Sequence, residues 1–381
     1  MKKLVSLVVV LAMAMTTLVG CGKTAEEATI LKIGGIGPTT GDAAVYGLSV
    51  KNAAQLAVDE INAAGGVNGV KMELNFQDDE ADPEKAVNAY NTLKDWGMDM
   101  LLGTVTSGAC IAVAEKTAED NMFHLTPSGS AVECCANDNA FRVCFSDPNQ
   151  GIASAKYIGE NALATKVAVI YDSSSIYSAG IYEKFASEAA NQGFEIVAAE
   201  AFTADSKTDF SVQIQKAKDA GAELVFLPIY YNEAALILSQ SKTAGFAPKF
   251  FGCDGLDGIL TLENFDTTLA ENLMLLTPFA ADATDDLTVK FVESYKAKYG
   301  ETPNQFAADA YDGIYAIAAA AEKAGIKLDM SVSDMCEAMK TAMTEITVDG
   351  LTGLGMTWTK EGEPNKEPKA VIVSGGVYKA M

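Results

Sequence analysis

The chain has 381 residues and a formal net charge of −23 at pH 7, with 28 lysines and arginines against 51 aspartates and glutamates. This balance argues against a nucleic-acid partner, whose phosphates need basic patches, and favours solubility instead. Any zinc site or Ser-His-Asp triad would rest on the single histidine, His124. We therefore expect a protein without enzyme activity, cofactor or metal.

The chain opens like an exported protein. Lys2 and Lys3 precede an apolar stretch, Leu4 to Val19, that is typical of a signal peptide and short for a membrane span. Small residues then lead to Cys21, which resembles the lipobox of bacterial lipoproteins. The resemblance implies a signal peptide over residues 1–20, acylation of Cys21, and a lipidated tether over residues 21–28 that anchors the chain outside the cytoplasm.

Export also permits disulfide bonds. Cys134 or Cys135 paired with Cys144 would close a short loop, but sequence alone does not give the pairing. Six cysteines follow Cys21, at positions Cys110, Cys134, Cys135, Cys144, Cys253 and Cys336.

Strand and helix patterns alternate through the first part of the mature chain. The predicted elements are a strand over Ile30–Ile36, a helix over Tyr46–Ala64, a strand over Val70–Phe76, a helix from Pro83 to Gly97 and a strand over Met98–Leu102. Asp82 before Pro83 is a typical helix start, and Gly97 is a typical helix end. This order predicts a parallel sheet with helices on both faces.

A second copy of the pattern follows. Its predicted elements are a strand over Lys166–Tyr171, a helix over Ile181–Asn191, a strand over Phe194–Ala199, a helix over Phe210–Ala220 and a strand over Glu223–Leu227. Gly69 and Gly97 are 28 positions apart, and so are Gly193 and Gly221. The sequence therefore predicts an α/β protein with two Rossmann-like lobes.

The last part of the chain shows no complete strand–helix alternation. Helices are predicted over Leu287–Tyr299, Phe306–Ala324 and Ser331–Met343, and we expect them to pack against the first lobe. A hairpin is predicted from Met356–Trp358 and Ala370–Val373 around the turn EGEPN, as part of the second lobe.

In this arrangement the chain crosses between the two lobes three times, near Asp147, Thr277 and Gly355. We predict lobe 1 over residues 29–146 and 278–354, and lobe 2 over residues 147–277 and 355–381. Three short crossings make a hinge. A ligand cleft is then expected where the carboxyl ends of the strands of both lobes meet.

Two Ser/Thr/Gly turns mark the carboxyl ends of strands in lobe 1. The stretch LLGTVTSGA runs from a buried strand into a helix, with Ser107 at the expected N-cap, and HLTPSGS ends at Ser130. One such serine on its own is better explained as a helix cap. Two such turns side by side form a polar cup that suits a carboxylate.

Lobe 2 offers an acid opposite this cup. Asp254 follows the predicted strand Lys249–Gly252, close to a tyrosine-rich wall. A local Asx-turn before Gly255 is the alternative role for Asp254. A carboxylate cup facing an acid suits a zwitterion, whose buried charges must both be paired.

The sequence resembles the substrate-binding proteins of ABC transporters, in the leucine/isoleucine/valine-binding branch with the type I periplasmic-binding-protein fold. The resemblance covers nearly the whole mature chain and rests on motifs in order, namely GDAAVYG, AAQLAVDEINAAGGVNG, DDEADPEKA, LLGTVTSGA, LTPSGS, YDSSSIYSAG and FAADAYDGIYAIAAA.

The resemblance implies roles for single residues. Ser107 matches the serine that binds the ligand's carboxylate, and Ser130 matches a neighbouring hydroxyl residue. Ser128 matches the residue whose backbone carbonyl accepts from the ligand's ammonium. Tyr230 matches the tyrosine that binds the ammonium, and Asp254 matches the acid on the facing lobe.

Aromatic residues complete the implied site, with Tyr46, Tyr177 and Phe306 around the ligand's side chain. Two features depart from the branched-chain binders: Asp254 stands where they use Glu, and the loop before Tyr177 looks one residue longer. The implied function is capture of a small apolar amino acid (Leu, Ile or Val) by hinge closure, by a monomer that delivers it to the permease of an ABC importer.

Other functions stay open. The same fold also suits an amide, urea or aromatic acid, or a sensor that signals through a separate receptor. The hypothesis of a dinucleotide-dependent enzyme rests on Gly35-Ile36-Gly37 followed by Gly41. The spacing of these glycines departs from the phosphate-binding fingerprint.

Overall fold

The computed structural model describes residues 30–381. The predicted signal peptide, the lipidation at Cys21 and the tether lie outside the described residues. Within residues 30–381, no helix combines the length and the apolar character needed to cross a membrane.

A parallel sheet of five strands forms the centre of lobe 1. Its strands are β1 Ile30–Gly37, β2 Lys71–Asp78, β3 Met100–Gly103, β4 His124–Thr126 and β5 Ala140–Arg142, in the spatial order β2-β1-β3-β4-β5. All neighbouring pairs are parallel. The predicted parallel sheet of the first copy is thereby confirmed.

A second sheet of seven strands forms the centre of lobe 2. Its strands are β6 Lys166–Asp172, β7 Glu195–Phe202, β8 Leu224–Leu227, β9 Lys249–Gly252, β10 Met274–Thr277, β11 Lys369–Ser374 and β12 Val377–Ala380, in the order β12-β11-β10-β9-β8-β6-β7. The pairs β10–β11 and β11–β12 are antiparallel, and the others are parallel.

Ten α-helices cover the sheets of the described chain. They are α1 Ala44–Ala63, α2 Pro83–Trp96, α3 Ser107–Glu119, α4 Asp147–Glu160, α5 Ile176–Ala189, α6 Ser211–Asp219, α7 Tyr231–Thr243, α8 Asp286–Tyr299, α9 Gln305–Ala324 and α10 Val332–Met343. Helix α9 packs against α1 and α10, and α8 also contacts α1. The last three helices therefore return to lobe 1, as predicted.

The repeat in the sequence has a local physical cause. Gly69, Gly97, Gly193 and Gly221 have φ values of 85°, 82°, 76° and 72°, in the left-handed region that glycine enters without a steric cost. Gly97 ends α2, and Gly221 follows the end of α6. The lobes repeat these glycines because both need the same reversal between a helix and the next strand. The lobe boundaries stay a prediction.

The predicted C-terminal hairpin is wrong. Residues Met356 and Trp358 make isolated bridges with Val348 and Pro364, outside the sheet. The hairpin is β11–β12, which turns at Gly375-Gly376 with φ values of 66° and 78°. Two adjacent residues with positive φ form the tight turn that matches the twist of paired strands. The hairpin adds to lobe 2 through β10, as expected for that part of the chain.

The glycines of β1 pack closely against neighbouring side chains. A Cβ on Gly35 would lie 2.3 Å from the Phe76 ring, and one on Gly37 would lie 2.5 Å from Val105. The strand β1 continues through Gly37, so these glycines make room for side chains and do not form a phosphate-binding turn. This arrangement removes the basis of the dinucleotide hypothesis.

We expect Gly47→Ala to lower the free energy of unfolding by about 1–3 kcal/mol, as overpacking does. A Cβ there would lie 1.9 Å from the Pro38 carbonyl oxygen, where the first turn of α1 touches the loop after β1. Gly108→Ala in α3 is the matched control, because its nearest neighbour would be 3.9 Å away. Chemical denaturation measures both variants. Equal stability of the two would contradict the close contact.

Candidate functional site

One cavity between the lobes brings together all eight residues of the predicted site. The cavity is narrow, with a volume of about 10 Å³. Its predicted residues are Tyr46, Ser107, Ser128, Ser130, Tyr177, Tyr230, Asp254 and Phe306. Val105, Thr106 and Gly255 also line the cavity. The first four predicted residues and Phe306 come from lobe 1, and the other three come from lobe 2.

The hydroxyl of Ser107 faces the second serine turn. Ser107 is the first residue of α3, and the N-cap is Thr106, which makes no side-chain cap. The Ser107 Oγ accepts from the amides of Ser130 and Ala131 at 3.2 and 3.1 Å, and it lies 3.5 Å from the Ser130 Oγ. The interpretation of Ser107 as a helix cap is therefore wrong. Both lone pairs of its oxygen are occupied, so the hydroxyl hydrogen is available as a donor.

A buried guanidinium holds the second turn in place. Arg142 is the only arginine of the chain and is fully buried. Its Nη1 donates to the carbonyls of Gly129 and Ser130 at 3.1 and 2.6 Å, and its Nη2 donates to that of Ala131 at 2.9 Å. An ion pair of 3.2 Å joins its Nε to Glu363. Sequence reasoning missed this role, although a lone arginine in an apolar strand was a signal.

Asp254 is held by a tyrosine that lies far away in sequence. The Tyr177 hydroxyl donates to the Asp254 Oδ1 at 2.6 Å and accepts from the Gly255 amide at 3.0 Å. An Asx-turn would use the Leu256 amide, which donates to the Cys253 carbonyl instead. Burial raises the pKa of Asp254 to about 6, although the Tyr177 hydroxyl opposes the shift. The Asx-turn alternative is therefore wrong.

Aromatic rings close the cavity from both lobes. Tyr46 contacts Tyr230 edge-on at 5.4 Å between ring centroids and Phe306 at 4.2 Å, while Tyr177 lies 5.0 Å from Tyr230. The Tyr46 hydroxyl donates across the cleft to the Gly255 carbonyl. Tyr177 lies in the first turn of α5, which begins five residues earlier than the predicted helix, after the N-cap Ser175.

The lobes also touch at the mouth of the cleft. The Lys207 ammonium lies 2.6 Å from the Asp42 carboxylate, and the Tyr231 hydroxyl donates to the Asp42 carbonyl at 2.8 Å. A groove of about 430 Å³ opens beside these contacts and shares Tyr177 and Tyr230 with the cavity. The structure is therefore a closed form, with the site reached from this edge.

Other chemistry-bearing residues stay in the core. His124 is buried in β4, and its Nε2 contacts the Gly103 carbonyl. The six cysteines from Cys110 to Cys336 are buried free thiols. Within residues 30–381, no group of three or more His, Cys, Asp or Glu side chains is arranged to hold a metal ion.

Comparison with known proteins gives relatives over most of the chain. A family model described as periplasmic binding protein matches residues 30–373. The chain is 33% identical over 302 residues to Leu/Ile/Val-binding protein homolog 3 of Brucella melitensis, covering 77% of this chain and 79% of that protein. It is 30% identical over 314 residues to the leucine-, isoleucine-, valine-, threonine-, and alanine-binding protein of Pseudomonas aeruginosa, covering 82% and 83%.

A solved structure shows the same fold. The branched-chain amino acid transporter substrate binding protein of Streptococcus pneumoniae, in complex with isoleucine, matches with a TM-score of 0.83 and 28% identity. The match covers 92% of this chain and 98% of that one. The predicted fold class of two α/β lobes is thereby confirmed.

We expect Asp254 to lower the stability of the ligand-free protein as the pH rises from 3.8 to about 6. The folded-state pKa lies above the unfolded one, so the folded chain keeps this proton longer and stability falls as the proton leaves. Asp254→Asn should therefore exceed the natural chain in unfolding free energy by a margin that grows with pH, to about 3 kcal/mol.

Denaturation in urea at several pH values measures this margin. Asp257 and Asp309, whose pKa values burial also raises to about 6, titrate in both proteins, so only their interaction with the Asp254 charge adds to the margin. A stability margin that does not change with pH would show that ionisation of the Asp254 carboxyl does not lower the stability of the ligand-free protein.

Proposed function

The chain belongs to the periplasmic binding protein family, and on that premise we propose that it binds a small apolar amino acid, with leucine, isoleucine and valine as first candidates. The observation that carries this proposal is the pairing of a hydroxyl cup on lobe 1 with a buried acid on lobe 2 in one cavity. An α-amino acid supplies the two opposite charges that these groups need. The names and the isoleucine complex of the relatives support the same ligand class.

In this proposal the carboxylate binds at lobe 1. The Ser107 and Ser130 hydroxyls and the N-terminus of α3 are donors for it. The Ser107 hydrogen is free for this use because two amides occupy the oxygen's lone pairs.

The ammonium binds at the facing lobe. Asp254 supplies the charge, with the Tyr230 hydroxyl and the Ser128 carbonyl as further acceptors. An ammonium near Asp254 lowers the raised pKa of this acid toward its ordinary range. The pKa change corresponds to a favourable free energy that adds to ligand binding. The rings of Tyr46, Tyr177 and Phe306 surround the side chain. Asp254 is one methylene shorter than Glu, so the ammonium sits closer to the backbone of this loop.

Capture follows from closure. A ligand that contacts both lobes binds the closed form better and shifts the population toward it. The cross-lobe contacts of Asp42 with Lys207 and Tyr231 add to this closed form. We further propose that the closed monomer, anchored through Cys21 outside the cytoplasm, delivers the ligand to an ABC importer and catalyses no reaction.

The first experiment is calorimetry and thermal unfolding of residues 22–381 with the twenty amino acids, small amides, urea and benzoate. We expect leucine, isoleucine or valine at one hundred times the dissociation constant to add about 2.7 kcal/mol of stability. Asp254→Ala should weaken this binding by about a hundredfold or more, because the ammonium is left buried and unpaired.

Asp257→Asn is the matched control, since Asp257 is buried in the same loop but bonds to the Gln305 amide. It should bind like the natural chain. The proposed ligand class would be contradicted if none of the amino acids bound, or if the Asp254→Ala variant bound them with unchanged affinity.

We expect Cys21→Ser to move the protein from the membrane fraction to the soluble extracytoplasmic fraction, because the acyl chains are lost. Fractionation of expressing bacteria measures the change, and Gly22→Ala is the neighbouring control that keeps the anchor. Membrane retention of Cys21→Ser would disprove lipidation at this position.

A further inference from the structure

The first turn of α4 is bonded to both halves of the proposed site. This turn follows the first crossing between the lobes, and its residues Asp147 and Gln150 are 2% and 0% exposed. The Asp147 amide donates to the Ser130 carbonyl at 2.9 Å. The Gln150 Oε1 accepts from the Asp254 amide at 3.2 Å. Residues three apart share one face of a helix, so this face touches the hydroxyl cup and the acid together.

The carboxyl of Asp147 has no hydrogen-bond partner among the described residues. Among the described residues, neither Oδ1 nor Oδ2 has a hydrogen bond of standard geometry. A buried carboxylate in this situation is costly, whereas the neutral acid is not. Burial raises the pKa of Asp147, and the charges of Asp254 and Glu133 act in the same direction. The Ser130 hydroxyl and the Arg142 guanidinium oppose this shift.

The charges of the site also favour a neutral Asp147. Asp254 and Asp147 are two buried acids near one another, and an amino acid brings one ammonium to them. Arg142 already pairs with Glu363 and with the carbonyls of the second turn. One of the two acids therefore keeps its proton when the ligand is bound, because a single ammonium cannot compensate two buried negative charges.

The hydrogen bonds of the nearby hydroxyl groups determine which acceptor this proton is donated to. The Ser107 oxygen accepts from two amides, so the Ser130 hydroxyl has no lone pair to donate to there. An ionised Asp147 would draw the Ser130 hydrogen to itself. A neutral Asp147 donates to the Ser130 Oγ instead, which leaves the Ser130 hydrogen for the ligand.

We propose that Asp147 is a positioning residue for the ligand's carboxylate, acting through Ser130. In its neutral form its carboxyl donates to the Ser130 oxygen and directs the Ser130 hydroxyl hydrogen into the cup. This role rests on the proposed carboxylate site and adds to it a residue that does not touch the ligand.

The test compares Asp147→Asn with Asp147→Ala by calorimetry with leucine over a series of pH values. The amide of Asn donates as the neutral acid does, so this variant should bind within about twofold of the natural chain, whereas Asp147→Ala should lose about tenfold. Affinity that the natural chain loses on ionisation of this carboxyl should be kept by Asp147→Asn, which has no proton to lose there. Asp79→Asn, at another buried acid with an unpaired oxygen, is the matched control and should bind normally.

Thermal unfolding of each variant separates a folding defect from a binding defect. The proposal is overturned if Asp147→Ala binds like the natural chain, or if folded Asp147→Asn binds as weakly as Asp147→Ala. If leucine does not bind and benzoate does, the proposed amino-acid ligand is wrong. The same variants measured with benzoate then test the role of Asp147, because benzoate also carries a carboxylate. A natural chain that binds neither probe overturns both proposals.

Discussion

A carboxylate buried without a cation is the constraint on which the rest of the site depends. Asp254 lies in the interior at the end of β9, and burial raises its pKa to about 6. One strong hydrogen bond from Tyr177 lowers the cost of the charge but does not remove it. The ligand-free closed form is therefore strained at neutral pH. An ammonium relieves this strain, so the same group destabilises the empty cleft and selects the ligand that fills it.

The fold supplies this arrangement from two copies of one pattern. Parallel strands present their carboxyl ends at one edge of each sheet, and in each lobe that edge faces the cleft. Ser107 and Ser130 follow β3 and β4, whereas Tyr230 and Asp254 follow β8 and β9. Opposite halves of one binding site thus come from equivalent places in the two lobes.

Local patterns were enough to predict most of the elements, because strands, helix caps and glycine stops depend on neighbours in sequence. The C-terminal hairpin was missed because the motif EGEPN outweighed the Gly375-Gly376 pair, which makes the real turn. The start of α5 was placed late because its first turn follows a run of serines, of which Ser175 is the cap. The eight site residues were predicted largely from the family resemblance, and the structure places them around one cavity.

The residues that sequence reasoning missed share one property, since each acts through a contact between distant segments. Arg142 is defined by the carbonyls of Gly129, Ser130 and Ala131, and Gln150 by the amide of Asp254. No spacing in the sequence predicts such contacts, because they form only when distant segments of the same lobe have folded together. They also explain why the cup is rigid: its loop carbonyls are fixed by a cation behind it, so its hydroxyls can face a ligand without reorganising. Preorganisation of this kind is what allows two small serines to hold a charged group that water would otherwise hold as well.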